Sequence, residues 1–212
     1  MEDVLDLYEV PQDDKRPVVC FDESPVQLVA EVRPPEAQEG SKPRRVDYEY
    51  KRNGTANLFM IVEPQGGWRH VDVTERRTKA DFAMQMQALV DEHFPEAEVI
   101  RVVLDNLNTH TPAALYEVFA PNEARRIVSK LEFHYTPKHG SWLNMAELEL
   151  AALSTQCLGR RIPDAQTLKA EVGAWDAERN RAGVCIHWRF TTPQARTKLA
   201  RLYPTSSTVA GH

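Results

Sequence analysis

The most constraining stretch of this chain is Val99-Ile-Arg-Val-Val-Leu104, a nearly unbroken apolar run that stops on Asp105 and Asn106. A run so short, so rich in β-branched residues and so apolar at both alternating positions predicts a strand buried on both faces. Such a strand lies at the centre of a sheet with helices over each side. Pro17-Val-Val-Cys-Phe21 is a second run of the same kind, and it also closes on a carboxylate, Asp22. Two core strands that each end in an acid predict an α/β fold with charge gathered at one end of its sheet.

The rest of the chain fits around those strands. Residues 1–16 are acidic and read as a short helix and linker. After the strand at 17–22, Ser24-Pro25 suggests a tight turn into a second strand at 26–32, followed by an exposed Pro-, Glu- and Lys-rich loop at 33–47. Strands at 57–62 and 68–73 flank Gly66-Gly67, giving an antiparallel meander. Helical spacing of Phe82, Met86, Leu89, Val90 and His93 predicts a helix over 78–94, with Thr78 as N-cap, Asp81 at N3 and Pro95 as terminator. A helix starting at Thr111-Pro112, a strand at 131–135 and helices at 141–158, 164–181 and 192–202 complete the order β-β-β-β-α-β-α-β-α-α-α. The predicted fold is a three-layer α/β sandwich. Its mixed sheet is an antiparallel meander followed by alternating strands and helices, flanked by helices. One domain spans 17–203, and 204–212 reads as a disordered tail.

Composition narrows the function. Hydrophobic residues make up 42% and charged residues 27%, an ordinary globular balance. No apolar run is long enough to span a membrane, and the acidic start Met1-Glu-Asp-Val-Leu-Asp does not read as a signal peptide. A cytoplasmic protein is expected. The three cysteines are far apart and form no CxxC pair, which argues against structural zinc and a disulfide framework; Cys20 reads as a small core residue. The net charge of -5 argues against a dedicated nucleic-acid binder. Cations nevertheless cluster at Lys42/Arg44/Arg45, Lys51/Arg52, Arg76/Arg77/Lys79, Arg125/Arg126/Lys130 and Arg160/Arg161. Acids in one cleft with basic patches around it suit a metal-dependent enzyme acting on DNA; singly, each patch also reads as solvated surface.

Alternation puts Val18, Cys20 and Asp22 on one strand face and Val19 and Phe21 on the other. A carboxylate that closes an apolar run is poorly solvated and needs a cation or several hydrogen bonds to stay charged. A third acid comes from Ser141-Trp-Leu-Asn-Met-Ala-Glu147. Glu147 shares a helical stripe with Leu143, Leu150 and Ala151, which turns it toward the protein body. Glu149 lies on a different stripe, and periodicity leaves the choice between the two open. Each acid alone also reads as a turn former, cap or surface residue. Three converging carboxylates suit Mg²⁺, a hard cation that prefers carboxylate oxygen. Two such ions about 3.5–4 Å apart can clamp the attacking and leaving oxygens of a phosphoryl transfer. Without metal, the acids repel one another and at least one pKa rises.

At this point the ordered set Asp22-Glu23, Arg76-Arg-Thr-Lys-Ala-Asp-Phe82, Leu104-Asp-Asn-Leu-Asn-Thr-His110, Phe133-His-Tyr-Thr-Pro137 and Ser141-Trp-Leu-Asn-Met-Ala-Glu147 resembles the DDE transposase catalytic domain of the bacterial insertion-sequence branch of the mariner superfamily, itself similar to retroviral integrases. The resemblance spans roughly residues 15–203. It implies a ribonuclease-H-like fold and a catalytic, metal-binding triad of Asp22, Asp105 and Glu147, settling the choice against Glu149. It further implies two Mg²⁺ ions (Mn²⁺ substituting), with Asp22 shared between them. The implied partners are DNA, both element ends and target, and a second copy of the chain as homodimer. The implied reaction is hydrolysis at element ends followed by attack of the freed 3′-hydroxyl on target DNA, at the nucleoid of a bacterial cytoplasm. Asn106, His110, Lys138, His139, Trp142 and Asn144 are candidates for supporting the acids or contacting DNA. On composition alone, His110 reads rather as a cap and Trp142 as a core anchor.

Two departures from the family pattern stand out. Asp105 and Glu147 are 42 positions apart, longer than usual for the superfamily, with the excess expected near Pro121 to Lys130. No helix-turn-helix module precedes Asp22. That leaves two alternatives to an active transposase domain: a truncated or inactive remnant acting only by dimerisation or interference, and a metal-dependent nuclease or resolvase of the same fold.

Overall fold

A computed structural model describes residues 1–32 and 49–203. The expected loop at 33–47 and the expected tail at 204–212 lie outside the described residues. Five strands form one sheet: β1 (Val18–Glu31), β2 (Tyr50–Glu63), β3 (Trp68–Thr74), β4 (Ile100–Leu104) and β5 (Leu131–Tyr135). Their order is β3-β2-β1-β4-β5, antiparallel from β3 to β1 and parallel from β1 to β5. This is the mixed sheet that the sequence pattern predicts, with one correction. The expected pair of strands at 17–22 and 26–32 is a single strand. Pro25 does not turn the chain because β4 pairs with β1 only from Val18 to Cys20. Beyond that point β1 is an edge on that side, where a proline costs no ladder bond. A register shift between Gln27 and Val29 bends the strand instead.

Helices cover both faces. Val19, Phe21, Phe59, Ile61, Val102 and Leu104 form one core with α2 (Lys79–Ala88), α3 (Pro112–Val118) and α4 (Pro121–Val128). Val18, Cys20, Leu58, Met60 and Val103 form the other with α1 (Glu2–Glu9), α5 (Ala146–Gln156), α6 (Ala165–Arg181) and α7 (Thr192–Lys198). Alternation along β1 thus sorts its residues between the two cores as expected, and Cys20 is fully buried. Thr78 caps α2 in a reciprocal capping box with Asp81. A π-helical turn at Leu89–His93 ends that segment. Asp164 caps α6 by accepting a hydrogen bond from the Thr167 amide at 2.7 Å. Thr191 caps α7, and a 3-10 turn at Ala200–Leu202 replaces its expected last turn. The predicted helix over 141–158 also divides: Ser141–Leu143 is a 3-10 turn, and α5 begins only at Ala146. Among the described residues no helix is long and apolar enough to cross a membrane.

Candidate active site

The parallel register of β1 and β4 sets the first two acids. Its last pair is Cys20 with Val103. Asp22 and Asp105 each stand two residues beyond that pair, at the same end of neighbouring parallel strands. The Asp22 Oδ1 accepts a hydrogen bond from the Glu23 amide at 2.8 Å.

Glu147 arrives by a different route. Asn144 is almost fully buried, and its Nδ2 donates to the Phe21 carbonyl at 2.8 Å. Its Oδ1 accepts from the Ala146 amide at 3.2 Å, and its carbonyl accepts from the Glu147 amide at 3.1 Å. One asparagine therefore lashes the start of α5 to the strand beside Asp22. The Asp22 carboxyl reports the result. Burial, reinforced by the negative charges of Glu147 and Asp105, raises it to about 7, against the opposing hydrogen bond from Glu23.

The stripe drawn from Leu143 through Glu147 does not exist. Leu143 precedes the break in the helix, Ala151 is exposed, and Glu147 itself is exposed. The buried acid is Glu149, only 2% accessible, against which two guanidiniums close. Arg69 Nε lies 3.1 Å from its Oε2, and Arg179 donates to both carboxylate oxygens at 2.9 and 2.6 Å.

His110 is neither a surface residue nor a simple cap. It is 1% accessible, packed on Phe21 and Phe82, with Nδ1 2.5 Å from Asp105 Oδ1 and Nε2 2.7 Å from Glu23 Oε1. Tyr135 donates from its hydroxyl to the His110 carbonyl at 2.9 Å. Burial alone would lower the imidazole pKa; the hydrogen bonds to Asp105 and Glu23 overturn that and raise it to about 9. A charged ring thus bridges two carboxylates. Glu23 is the residue that sequence reasoning passed over as a bearer of function. Its available signals were its place in the Asp22-Glu23 motif and an acid on the β1 face otherwise given to Val19 and Phe21.

Beside Asp105 opens a cleft of about 390 Å³ lined by Asn106, Thr136, Lys138, His139 and Ser141. His139 holds a left-handed backbone, φ 63°, in the tight turn closed by the Gly140 amide on the Pro137 carbonyl. Lys138 and His139 are exposed at this rim. Trp142 is no core anchor: it is 45% accessible and stacks on Trp188 with centroids 6.2 Å apart. Its turn points it outward because Leu143, next along, takes the buried position.

Residues 17–169 match the profile of the DDE superfamily endonucleases. The chain belongs to that family. A comparison with curated proteins finds no match. Among solved structures, this DDE chain is similar to the Mos1 mariner paired-end complex with Mn, at 18% identity and TM-score 0.55 over 85% of this chain and 55% of that one. It is also similar to the catalytic domain of Mos1 mariner transposase, at 14% identity and TM-score 0.54 over 85% and 81%. A simian T-cell lymphotropic virus intasome complex matches at 9% identity and TM-score 0.50 over 77% and 50%. The likeness establishes the ribonuclease-H-like fold. The chain spans about 55% of the Mos1 chain in the paired-end complex.

The acids fit a hard dication by donor chemistry: all are carboxylates, and the charges of Glu147 and Asp105 raise Asp22. They are not a ready-made cage. Among the described residues no three His, Cys, Asp or Glu side chains are gathered as metal ligands. Asp105 and Asp22 each spend an oxygen on a protein partner instead.

Proposed function

We propose that this chain is the catalytic domain of a transposase, residues 17–203 with α1 packed into their core, which cleaves DNA at the ends of a mobile element and joins the freed ends to target DNA. Asp22, Asp105 and Glu147 would hold two Mg²⁺ ions, or Mn²⁺ in their place. The observation that carries the reading is the charge convergence at Asp22, whose carboxyl is pushed up to about 7 by burial and by Glu147 and Asp105 together. Such a site favours cations that relieve the repulsion. Bound divalent ions activate the attacking oxygen and offset the charge that develops on the phosphate.

The chain's own groups do the rest. Asn144 fixes where Glu147 enters, and His110 holds Asp105 by one oxygen. Lys138 and His139, exposed at the rim of the cleft, meet backbone phosphates, and Asn106 lines the path to Asp105. Trp142 offers an exposed indole for stacking on a base. Pairing of two DNA ends calls for a homodimer, and the reading places the protein at the nucleoid of a bacterial cytoplasm. The Mos1 structures similar to this chain include a paired-end complex with Mn and a Strand Transfer Complex.

The test is a strand-transfer assay with element-end DNA and a supercoiled target. Nicks and joined products that need Mg²⁺ or Mn²⁺, both lost in Asp105→Asn, are expected. Products cut but never joined would turn the reading to a nuclease or resolvase. DNA bound but never cut would leave only a non-catalytic remnant.

A further inference from the structure

The N-terminal helix is part of the domain's core. Val4 and Leu5 on α1 are fully buried, and its polar side chains reach two other elements. Asp3 pairs with His134 of β5 at 2.9 Å, Asp6 accepts from the Thr192 hydroxyl of α7 at 2.6 Å, and Glu2 pairs with Arg196 at 2.8 Å. From this helix, braced on β5 and α7, Tyr8 points inward, 7% accessible, with its ring against Trp188. Its hydroxyl donates to the Leu143 carbonyl at 2.7 Å and lies 3.3 Å from Cys20 Sγ.

Those two partners are not arbitrary core atoms. Leu143 ends the 3-10 turn four residues before Glu147, and Cys20 stands two residues before Asp22 on the same strand face. The amides that follow the turn are engaged elsewhere: Ala146 on Asn144 Oδ1, Glu147 on the Asn144 carbonyl, Leu148 on the Met145 carbonyl. The Leu143 carbonyl is left to the tyrosine. A phenylalanine would fill the same space but leave that carbonyl unpaired in the core.

We propose that Tyr8 is a positioning residue for the acid site, tying the turn that launches Glu147 to the strand that carries Asp22. The functional half of this assignment rests on the reading of both as metal-holding acids. Asn144 makes the same connection from the side of Phe21; Tyr8 makes it from the opposite side of the turn, and it brings α1 into the site's geometry.

The test compares Tyr8→Phe with Leu5→Ala, which empties a buried position on the same helix without touching the turn. Three readouts are taken: amide hydrogen exchange over residues 141–149 in metal-free protein, Mn²⁺ affinity from the electron paramagnetic resonance signal of free Mn²⁺, and turnover against Mn²⁺ concentration. Tyr8→Phe is expected to speed exchange at residues 143–147 by about tenfold and to weaken Mn²⁺ binding by about tenfold. Turnover should recover at high Mn²⁺. Leu5→Ala is expected to lower the melting temperature more, yet to leave Mn²⁺ affinity as in the wild type. Wild-type exchange and wild-type Mn²⁺ affinity in Tyr8→Phe would overturn the proposal. So would equal weakening of Mn²⁺ binding by Leu5→Ala, since general loosening would then suffice. A wild-type protein that binds no Mn²⁺ would instead overturn the acid-site reading itself, and with it the functional half of the assignment.

Discussion

Glu147 and Glu149 sit two residues apart on α5 and live in opposite electrostatic worlds. Glu149 is buried between Arg69 and Arg179, with both oxygens engaged. Glu147 is exposed, and its charge falls on another acid. In one region the fold has spent two guanidiniums on a single carboxylate; in the other it has brought carboxylates together with only the His110 ring, held on Asp105, to offset them. A buried, fully paired acid stabilises the scaffold. Acids that repel one another at the end of a sheet are kept at a cost in stability, which is the mark of a site that acts on something else.

The sharpest way to break this division is to neutralise each glutamate in turn. Glu147→Gln is expected to lower metal-dependent cleavage by roughly a thousandfold or more, a size set by the loss of charge stabilisation in a transition state, with an unchanged or higher melting temperature. Glu149→Ala should do the reverse. It leaves one buried and one half-buried guanidinium without their anion and should cost about 3–5 kcal/mol in urea denaturation. The fraction that stays folded should still bind Mn²⁺. If Glu149→Ala abolished Mn²⁺ binding in protein still folded by circular dichroism, the two regions would not be separable.

The acid cluster should also leave its signature in how stability varies with pH. Asp22 has a folded pKa near 7, raised first by burial and then by Glu147 and Asp105. Its protonated form is therefore favoured by folding, so stability present below about pH 4 is lost as pH rises toward 7. His110 follows in the same direction. Its ring is held charged to about 9 by Asp105 and Glu23 against the opposing effect of burial, so that stability is present below about pH 6.5 and is lost as pH rises through 9. In metal-free protein these two contributions thus fall continuously from pH 4 to 9, while His93, lowered by burial, acts in the opposite direction. Asp22→Asn should flatten the lower half of the curve and be more stable than wild type at pH 8 by roughly 2–4 kcal/mol. An Asp22→Asn curve parallel to wild type between pH 4 and 7 would contradict the cluster.

How much of this was legible in the residues depends on which were constrained by period and which by tertiary contact. β4 and β5 could be read almost to their ends, because short, apolar, β-branched runs have few alternatives. The capping box at Thr78 was a local signal and was legible as such. β1 was misread at Pro25, since only the sheet order reveals that the strand has a free edge there. The helix carrying the third acid was misread for a related reason. Asn144 breaks it through a bond to Phe21, 123 residues away in sequence, which no local pattern contains. The same holds for Glu149, whose partners come from β3 and α6, and for Glu23, whose partner lies beyond β4. Individual acids could be nominated from the sequence; which were paired and which were not became visible only in the fold.

The smallest expected effect tests whether Glu23 belongs with the paired acids or with the repelling ones. It has features of both: it is buried beside Asp22 and bonded to a charged imidazole that also grips Asp105. Arg77 stands 4.0 Å away, too exposed a partner to carry the pairing. Glu23→Gln keeps an acceptor for His110 and removes the charge. The His110 titration, followed by its ring proton resonances in metal-free protein, should then shift below 9, because one of two supporting carboxylates is gone. Stability at pH 7 should fall by only about 1 kcal/mol. Mn²⁺ binding should weaken by no more than about tenfold, since Asp105 keeps its own bond to the ring. An unmoved His110 titration would show that Asp105 alone holds the proton, and would leave Glu23 as a packing residue of the β1 strand. A large loss of Mn²⁺ binding with little change in the titration would move Glu23 to the other side of the comparison, among the acids that face the ion.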